Sequence, residues 1–168
     1  MKKNKILSVI ILLGTLLIAV SCSSPAPETG PDSSAEIPVA ETFDFAAAQL
    51  EKTVAQVVDG DKFPRFVGEN GLWETLDSSA WSSGFFAGCL WFMFEHTGDD
   101  EWKARAEKWT AGMEEQQFNT ANHNNGFMMF SSFGNGYLLT GDDHYRAVLI
   151  ESARSLASRY SDTVGFIK

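Results

Sequence analysis

The chain has 168 residues, enough for one domain, and its 22 acidic and 13 basic residues give a net charge of −9 at pH 7. So acidic a surface argues against binding to a nucleic-acid backbone. Two cysteines cannot form a disulfide framework or a cysteine-rich metal site. The sequence also contains no phosphate-binding loop, nucleophile elbow or metal-ligand spacing, so we expect no metal and no cofactor.

The N-terminus has the pattern of an export signal. Residues 1–5 are basic, and residues 6–20 form an apolar run that is short for a bilayer span. Small residues then precede Cys22, as in lipoprotein signals, where the cysteine becomes the acylated N-terminus. The alternative is an ordinary cleaved signal with a chance cysteine. We predict a signal peptide over residues 1–21 and a protein anchored through lipid on Cys22 at the cell envelope, on the periplasmic or outer-membrane face.

A tether and a domain follow the signal. Residues 22–41 contain four of the five prolines and several serines, which predicts a disordered tether. The domain then occupies residues 42–168. Cys89 lies in an apolar run, so we expect it to be a small buried hydrophobic residue rather than a nucleophile.

Helical periodicity dominates the domain. It predicts helices over residues 43–58, 82–96, 99–117, 126–139 and 142–160. Residues 61–79 are irregular, with turn and extended signals and no convincing alternating strand. The large apolar side chains within the helices are expected in the core, and these are Trp91, Phe92, Phe94, Trp102, Trp109, Met128, Met129 and Phe130.

The helices form an internal repeat. The sequence TGDDEWKA at residues 97–104 recurs as TGDDHYRA at residues 140–147. In each copy a glycine ends one helix and an aspartate caps the next. The first helix of each copy is nearly all apolar, and the second has a polar face that covers it. The regular spacing of these helical hairpins along the sequence predicts an all-α array of hairpins or a closed α/α ring.

The repeat extends to the starts of the apolar helices. The sequence WSSGF at residues 81–85 corresponds to HNNGF at residues 123–127. Trp81 and His123 are therefore expected at the same end of the array, beside helix N-termini that favour a carboxylate or sulfate. Trp81 is a candidate for stacking on a sugar ring, with a core position as the alternative. For His123 the alternative to a pocket role is a capping or loop role.

Several other polar residues have structural interpretations. Asn124 and Asn125 suit helix N-caps. The acidic pairs at residues 99–100 and 142–143 are predicted to be helix caps rather than an acid–base couple. His96 and His144 lie beside those turns and are expected to face solvent.

In their order along the chain, these motifs resemble the unsaturated glucuronyl hydrolases, glycoside hydrolase family 88. The resemblance rests on FPR at 63–65, WSSGFFAG at 81–88, HTGD at 96–99, HNNGFM at 123–128 and SFGNGYLLTGD at 132–142. It implies the N-terminal part of the catalytic domain, and hence an incomplete (α/α)6 barrel.

The resemblance also implies a reaction. The family removes the 4,5-unsaturated uronic acid that polysaccharide lyases leave at the non-reducing end of oligosaccharides. A carboxylic acid protonates the C4=C5 vinyl ether, water adds at C5, and the hemiketal collapses to release the rest of the chain. Trp81 then corresponds to a sugar-stacking tryptophan and His123 to a substrate-binding histidine. The unsaturated rhamnogalacturonyl hydrolases share this barrel and chemistry and are the related alternative.

The sequence departs from the family in its carboxylates. Asn124 occupies the position of one of the family's two essential aspartates, and an amide cannot exchange a proton at neutral pH. The second carboxylate lies beyond Lys168. Ala80 stands where the family often has aspartate. We therefore expect a truncated chain that is inactive alone.

Two other functions remain open alongside that one. One is a non-catalytic carbohydrate-binding lipoprotein that uses Trp81 and His123. The other is a helical-repeat protein whose open edge binds another chain. The second alternative follows from the expectation that the apolar helices around residues 85–94 and 127–139 keep one flank exposed.

Overall fold

A computed structural model describes residues 38–167. The predicted signal peptide, Cys22 and residues 22–37 of the predicted tether lie outside this part. The helices are α1 Val39–Gln56, α2 Ser83–Thr97, α3 Asp100–Ala111, α4 Asn125–Met129, α5 Asn135–Thr140 and α6 Asp143–Ala157. None of these is both long and apolar enough to cross a membrane. Helix α1 begins slightly before the predicted domain boundary at residue 42.

A π-helical segment, Phe130–Gly134, connects α4 to α5. Residues 125–140 therefore form one helix, which agrees with the prediction for residues 126–139. We call α2 the first inner helix and residues 125–140 the second inner helix. Ser132 lies in the π segment and its hydroxyl donates to the carbonyl of Met128 at 2.8 Å.

The sequence predicted no strand in residues 61–79, and this prediction is wrong. Strands β1, Phe63–Val67, and β2, Trp73–Leu76, form an antiparallel hairpin. Only Phe63 of β1 is buried, and the register shifts between Pro64 and Phe66, so neither strand shows regular alternation. A second short pair, β3 Tyr160–Ser161 and β4 Phe166–Ile167, lies after α6.

Two of the predicted helices end early. The helix predicted to reach residue 117 stops at Ala111 and gives way to a 3-10 helix, Glu114–Phe118. Between them, Gly112 approaches the backbone of Gly60 so closely that a Cβ atom would lie 2.0 Å from its carbonyl oxygen. The last helix ends at Ala157 rather than at Tyr160, which lies in β3.

The repeated turns have the predicted caps, with nearly the same geometry in both copies. Gly98 and Gly141 adopt the left-handed conformation that ends α2 and α5. Asp99 accepts a hydrogen bond from the backbone N–H of Glu101 at 2.8 Å, and Asp142 accepts one from His144 at 2.8 Å. The interpretation of these aspartates as helix caps is confirmed.

Each inner helix packs antiparallel to the outer helix that follows it. Phe86 near the start of α2 contacts Trp109 near the end of α3, with ring centroids 5.1 Å apart. In the next hairpin, Phe133 contacts Tyr145 at 5.3 Å, in the first turns of α6. Helix α1 packs on the other side of α2, where Phe43 stacks on His96 with ring centroids 4.0 Å apart. The predicted array of helical hairpins is confirmed.

The two inner helices run parallel, and glycines set their separation. A Cβ on Gly84 would lie 2.0 Å from the carbonyl oxygen of Met128, and one on Gly88 would lie 2.9 Å from that of Ser131. Contact positions advance together along both helices, which requires a parallel arrangement. Buried Trp91 continues the contact, and its indole N–H donates to Thr110 in α3 at 2.9 Å.

Of the eight residues predicted for the core, five are buried, Phe94 is partly buried against it, and two are exposed. Trp91, Trp102, Trp109, Met128 and Met129 are buried. Phe92 is 50% exposed and Phe130 is 59% exposed, so their assignment to the core was wrong. Phe92 lines a groove beside α1, and Phe130 lines another beside α6. Phe127 is 62% exposed, which agrees with the expectation that the apolar helices keep an exposed flank.

We predict that Gly84→Ala destabilises the chain while Gly126→Ala does not. Both changes bring the same gain in helix propensity. The new methyl at 84 collides with backbone atoms of Met128, which should cost about 1–3 kcal/mol. At 126 the nearest atom is a methyl of Leu156 at 3.6 Å, an ordinary contact. Unfolding followed by circular dichroism measures the difference, and equal midpoints for the two variants would contradict the close helix approach.

Candidate substrate-binding site

Trp81 and His123 lie at the same end of the helical array. Trp81 directly precedes the first turn of α2, and His123 directly precedes that of α4. Because the inner helices are parallel and in contact at Gly84 and Met128, their N-termini share one end. The predicted placement of both residues is therefore confirmed, while the roles assigned to them remain predictions.

Trp81 is a surface aromatic rather than a core residue. Its side chain is 53% exposed and meets Phe85 edge to face, with ring centroids 6.0 Å apart. It lines a cavity of about 490 Å³ between α1, the β1–β2 hairpin and the start of α2. Pro64, Arg65, Trp73, Ser82 and Phe86 also contribute to the walls.

The polar groups at this cavity favour an anion. Arg65 lines it, and among the described residues no hydrogen bond or ion pair engages its guanidinium. The start of α2 lies beside it, and Ser82 at the N-cap makes no side-chain capping bond. A free guanidinium and a helix N-terminus are both suited to a carboxylate or sulfate. Sequence reasoning assigned no role to Arg65, because the hairpin that carries it was not predicted.

The segment before α4 is held in shape by asparagine side chains. Asn119 Oδ1 accepts from the backbone N–H groups of Ala121 at 2.9 Å and Asn122 at 3.2 Å. Asn122 Oδ1 in turn accepts from the backbone N–H of Asn124 at 2.8 Å. These local bonds fix the path of the chain past His123, which is exposed.

Asn124 and Asn125 do not act as the predicted side-chain caps. Asn124 stands at the N-cap position, but its side chain makes no capping bond, and its Nδ2 instead donates to Asn122 Oδ1 at 3.0 Å. Asn125 is the first helical residue and is fully buried, with Nδ2 donating to the carbonyl of Asn119 at 3.4 Å. Its Oδ1 has no hydrogen-bond partner among the described residues.

The structure brings some of the predicted residues together and leaves others apart. The described lining of the Trp81 cavity contains neither His123 nor Asn124. It also contains no carboxylate, and the described residues hold no group of three or more His, Cys, Asp or Glu side chains that could hold a metal ion. The cavity therefore has a stacking surface and a cation, without an acid for proton transfer.

Cys89 corrects a further expectation. It lines the same cavity and is exposed rather than buried. The residue as a whole reaches solvent, but apolar groups surround part of its sulfur. This partial burial raises the pKa of the Cys89 thiol. A raised pKa lowers the thiolate fraction of Cys89 near neutral pH.

Comparison with known proteins identifies relatives over most of the chain. An unsaturated glucuronyl hydrolase of Formosa agariphila is 34% identical over 98% of this chain, which covers 41% of that protein. A solved unsaturated glucuronyl hydrolase specific for heparin is 33% identical, with a TM-score of 0.70, over 76% of this chain and 34% of its own.

A third relative holds a ligand. A variant of the unsaturated glucuronyl hydrolase of Streptococcus agalactiae, solved in complex with dGlcA-GalNAc6S, is 26% identical with a TM-score of 0.63. The match covers 73% of this chain and 33% of that one. No protein-family model matches the chain. The chain thus spans about two-fifths or less of the length of these relatives.

Proposed function

Because the chain belongs to the unsaturated glucuronyl hydrolases of glycoside hydrolase family 88 over the part it spans, we propose that it forms the portion of their site that holds the unsaturated uronic acid of an oligosaccharide. One observation supports this most directly. The parallel inner helices bring Trp81, His123 and Asn124 to one end of the array, where their N-termini also lie.

Trp81 offers the surface on which a sugar ring stacks. Its ring is about half exposed and is supported from one side by Phe85, so it needs little ordering when a ligand binds. A uronic acid also carries a carboxylate, which matches the start of α2 and the guanidinium of Arg65, unpaired within residues 38–167. The apolar ring face and the anionic group of the sugar thus have complementary partners near each other.

Asn124 determines what happens after binding. Vinyl-ether hydration needs a carboxylic acid that delivers a proton to C4 while water attacks C5. An amide hydrogen-bonds to the sugar but does not supply that proton. We propose that this chain contributes binding at this position and no proton transfer, which agrees with a carbohydrate-binding role derived from a hydrolase.

We predict that the chain binds dGlcA-GalNAc6S and that Trp81→Ala weakens this binding about five- to tenfold, because a lost stacking contact is worth roughly 1–1.4 kcal/mol. Titration calorimetry measures the affinity. Tyr160→Ala is the matched control, since Tyr160 is an exposed aromatic in β3 far along the chain from Trp81. Equal losses in both variants, or no binding by the unaltered chain, would contradict the proposed site. An unsaturated rhamnogalacturonan disaccharide in the same titration tests the related family.

We also predict that Asn124→Asp is needed for turnover. The chain alone should not consume the disaccharide. A chimera that continues this chain with the segment following the matched region of the Formosa agariphila relative should also stay inactive with Asn124 and gain activity with Asn124→Asp. Loss of absorbance from the C4=C5 double bond reports the reaction. Turnover by the Asn124 chimera at the rate of the aspartate variant would show that this position does not limit proton transfer.

The site is also proposed to lie at the cell envelope. The basic and apolar segments before Cys22 support export and lipidation. In cells that express the chain, a clickable fatty-acid analogue should label it, and Cys22→Ser should abolish the label, whereas Cys89→Ser should not. Labelling that persists in the Cys22→Ser variant would exclude this anchor.

A further inference from the structure

A path of side-chain hydrogen bonds connects the two segments that precede the inner helices. We call residues 77–82 the first entry segment and residues 119–124 the second entry segment. Gln116, in the 3-10 helix that leads into the second entry segment, contacts both of them. Its Nε2 donates to the hydroxyl oxygen of Ser78 at 2.9 Å, and its Oε1 accepts from Asn119 Nδ2 at 2.8 Å.

The backbone determines the direction of these bonds. Asn119 Oδ1 accepts from the backbone N–H groups of Ala121 and Asn122. The other end of that amide must then be a donor, so the atom of Gln116 that meets it is an oxygen. The nitrogen of Gln116 therefore faces Ser78. The side chain at 116 thus meets a donor at one end and a hydroxyl at the other, and an amide satisfies both.

Each end of this path holds a turn that carries a residue of the proposed site. The carbonyl of Ser78 accepts from the hydroxyl of Ser83, the buried first residue of α2, at 2.7 Å. Trp81 lies in the turn that this bond closes. At the other end, Asn122 Oδ1 accepts from the backbone N–H of Asn124 at 2.8 Å. The path therefore reaches from the stacking ring to the segment with the histidine and the amide.

We propose that Gln116 is a positioning residue of the sugar-binding site, which keeps Trp81 and His123 at the separation that one sugar needs. The contact between the inner helices fixes their first turns, whereas both site residues precede those turns and depend on their entry segments. Gln116 is half-buried and is not among the described lining of the Trp81 cavity, so it acts through the residues it holds. The sugar in this inference rests on the proposed function, whereas the coupling of the two segments rests on the hydrogen bonds.

Amide hydrogen exchange tests the coupling without a sugar. Ser78→Ala changes only the first entry segment, yet we expect it to speed exchange at the amides of Asn122 and Asn124 in the second about threefold. Gln116→Met has a similar length, removes both bonds and should have at least the same effect. Ser79→Ala, at the exposed neighbouring serine, is the matched control and should leave both amides unchanged. Exchange at these amides that is the same in Ser78→Ala as in the unaltered chain, measured by NMR, would overturn the coupling.

Titration calorimetry with dGlcA-GalNAc6S tests the effect on binding. Gln116→Met should weaken binding about fivefold. Gln117→Met is the control in the same 3-10 helix, where the side chain of Gln117 donates locally to the carbonyl of Glu114 at 3.1 Å, and it should bind normally. Gln116→Glu should restore the affinity, because its two oxygens accept from Asn119 and from the hydroxyl of Ser78 once that hydroxyl turns to donate.

Three results separate the possible failures. Unchanged affinity in Gln116→Met would overturn the positioning role, as would a loss that Gln116→Glu does not restore. Should Gln116→Met not fold, Ser78→Ala gives the same test, with weakened binding expected and unchanged binding contradicting the role. If the unaltered chain binds no disaccharide, the proposed function fails, and the exchange rates still decide whether Gln116 couples the two entry segments.

Discussion

The close backbone approach between Gly84 and Met128 is the constraint on which the rest of the structure depends. It holds two apolar helices parallel and in register, so that their N-termini lie together. Each outer helix then packs antiparallel to the inner helix before it, with Trp109 and Tyr145 meeting Phe86 and Phe133. A single side chain at 84 would separate the helices and misplace the segments that start them. The position of Trp81 relative to His123 therefore depends on glycine, which has no Cβ atom, at position 84.

Local chemistry explains why the helical hairpins could be predicted from the sequence. The glycine and aspartate of each repeated turn act within a few residues of each other, and the two copies have nearly equal hydrogen-bond lengths. The β1–β2 hairpin lacks such a local signal. Its two strands are stabilised by pairing with each other and by the burial of Phe63. At the neighbouring residue, the indole N–H of Trp109 donates to the carbonyl oxygen of Lys62 at 3.0 Å. That contact joins residues far apart in the sequence, and periodicity does not detect it.

The same distinction separates the predicted part of the site from the rest. The repeat assigned Trp81 and His123 to a common end, because register between copies follows from spacing alone. Arg65 reaches the cavity only through the hairpin, and the asparagine bonds at 119–125 depend on the turn that they create. The exposure of Cys89, Phe92 and Phe130 depends on which neighbours are present, a property that an apolar sequence run does not contain. An apolar sequence run predicts that its side chains will be buried, but it does not identify the neighbouring element that buries them.

The hydrogen bonds around Asn124 show that its amide suits the observed loop. The backbone N–H of Asn124 must donate, so the atom of Asn122 that receives it at 2.8 Å is an oxygen. The side-chain atom of residue 124 that lies 3.0 Å from that same oxygen must therefore also be a donor, which an amide provides and an ionised carboxylate does not. An aspartate placed here would meet this oxygen either as a protonated acid, which can donate, or as an anion that forces Asn122 to turn and lose the backbone bond. The first outcome raises the pKa of the new carboxyl, because the hydrogen bond stabilises only its neutral form. The loop thus holds a donor at this position, and of the two side chains compared only the acid can also release the proton that the vinyl ether needs.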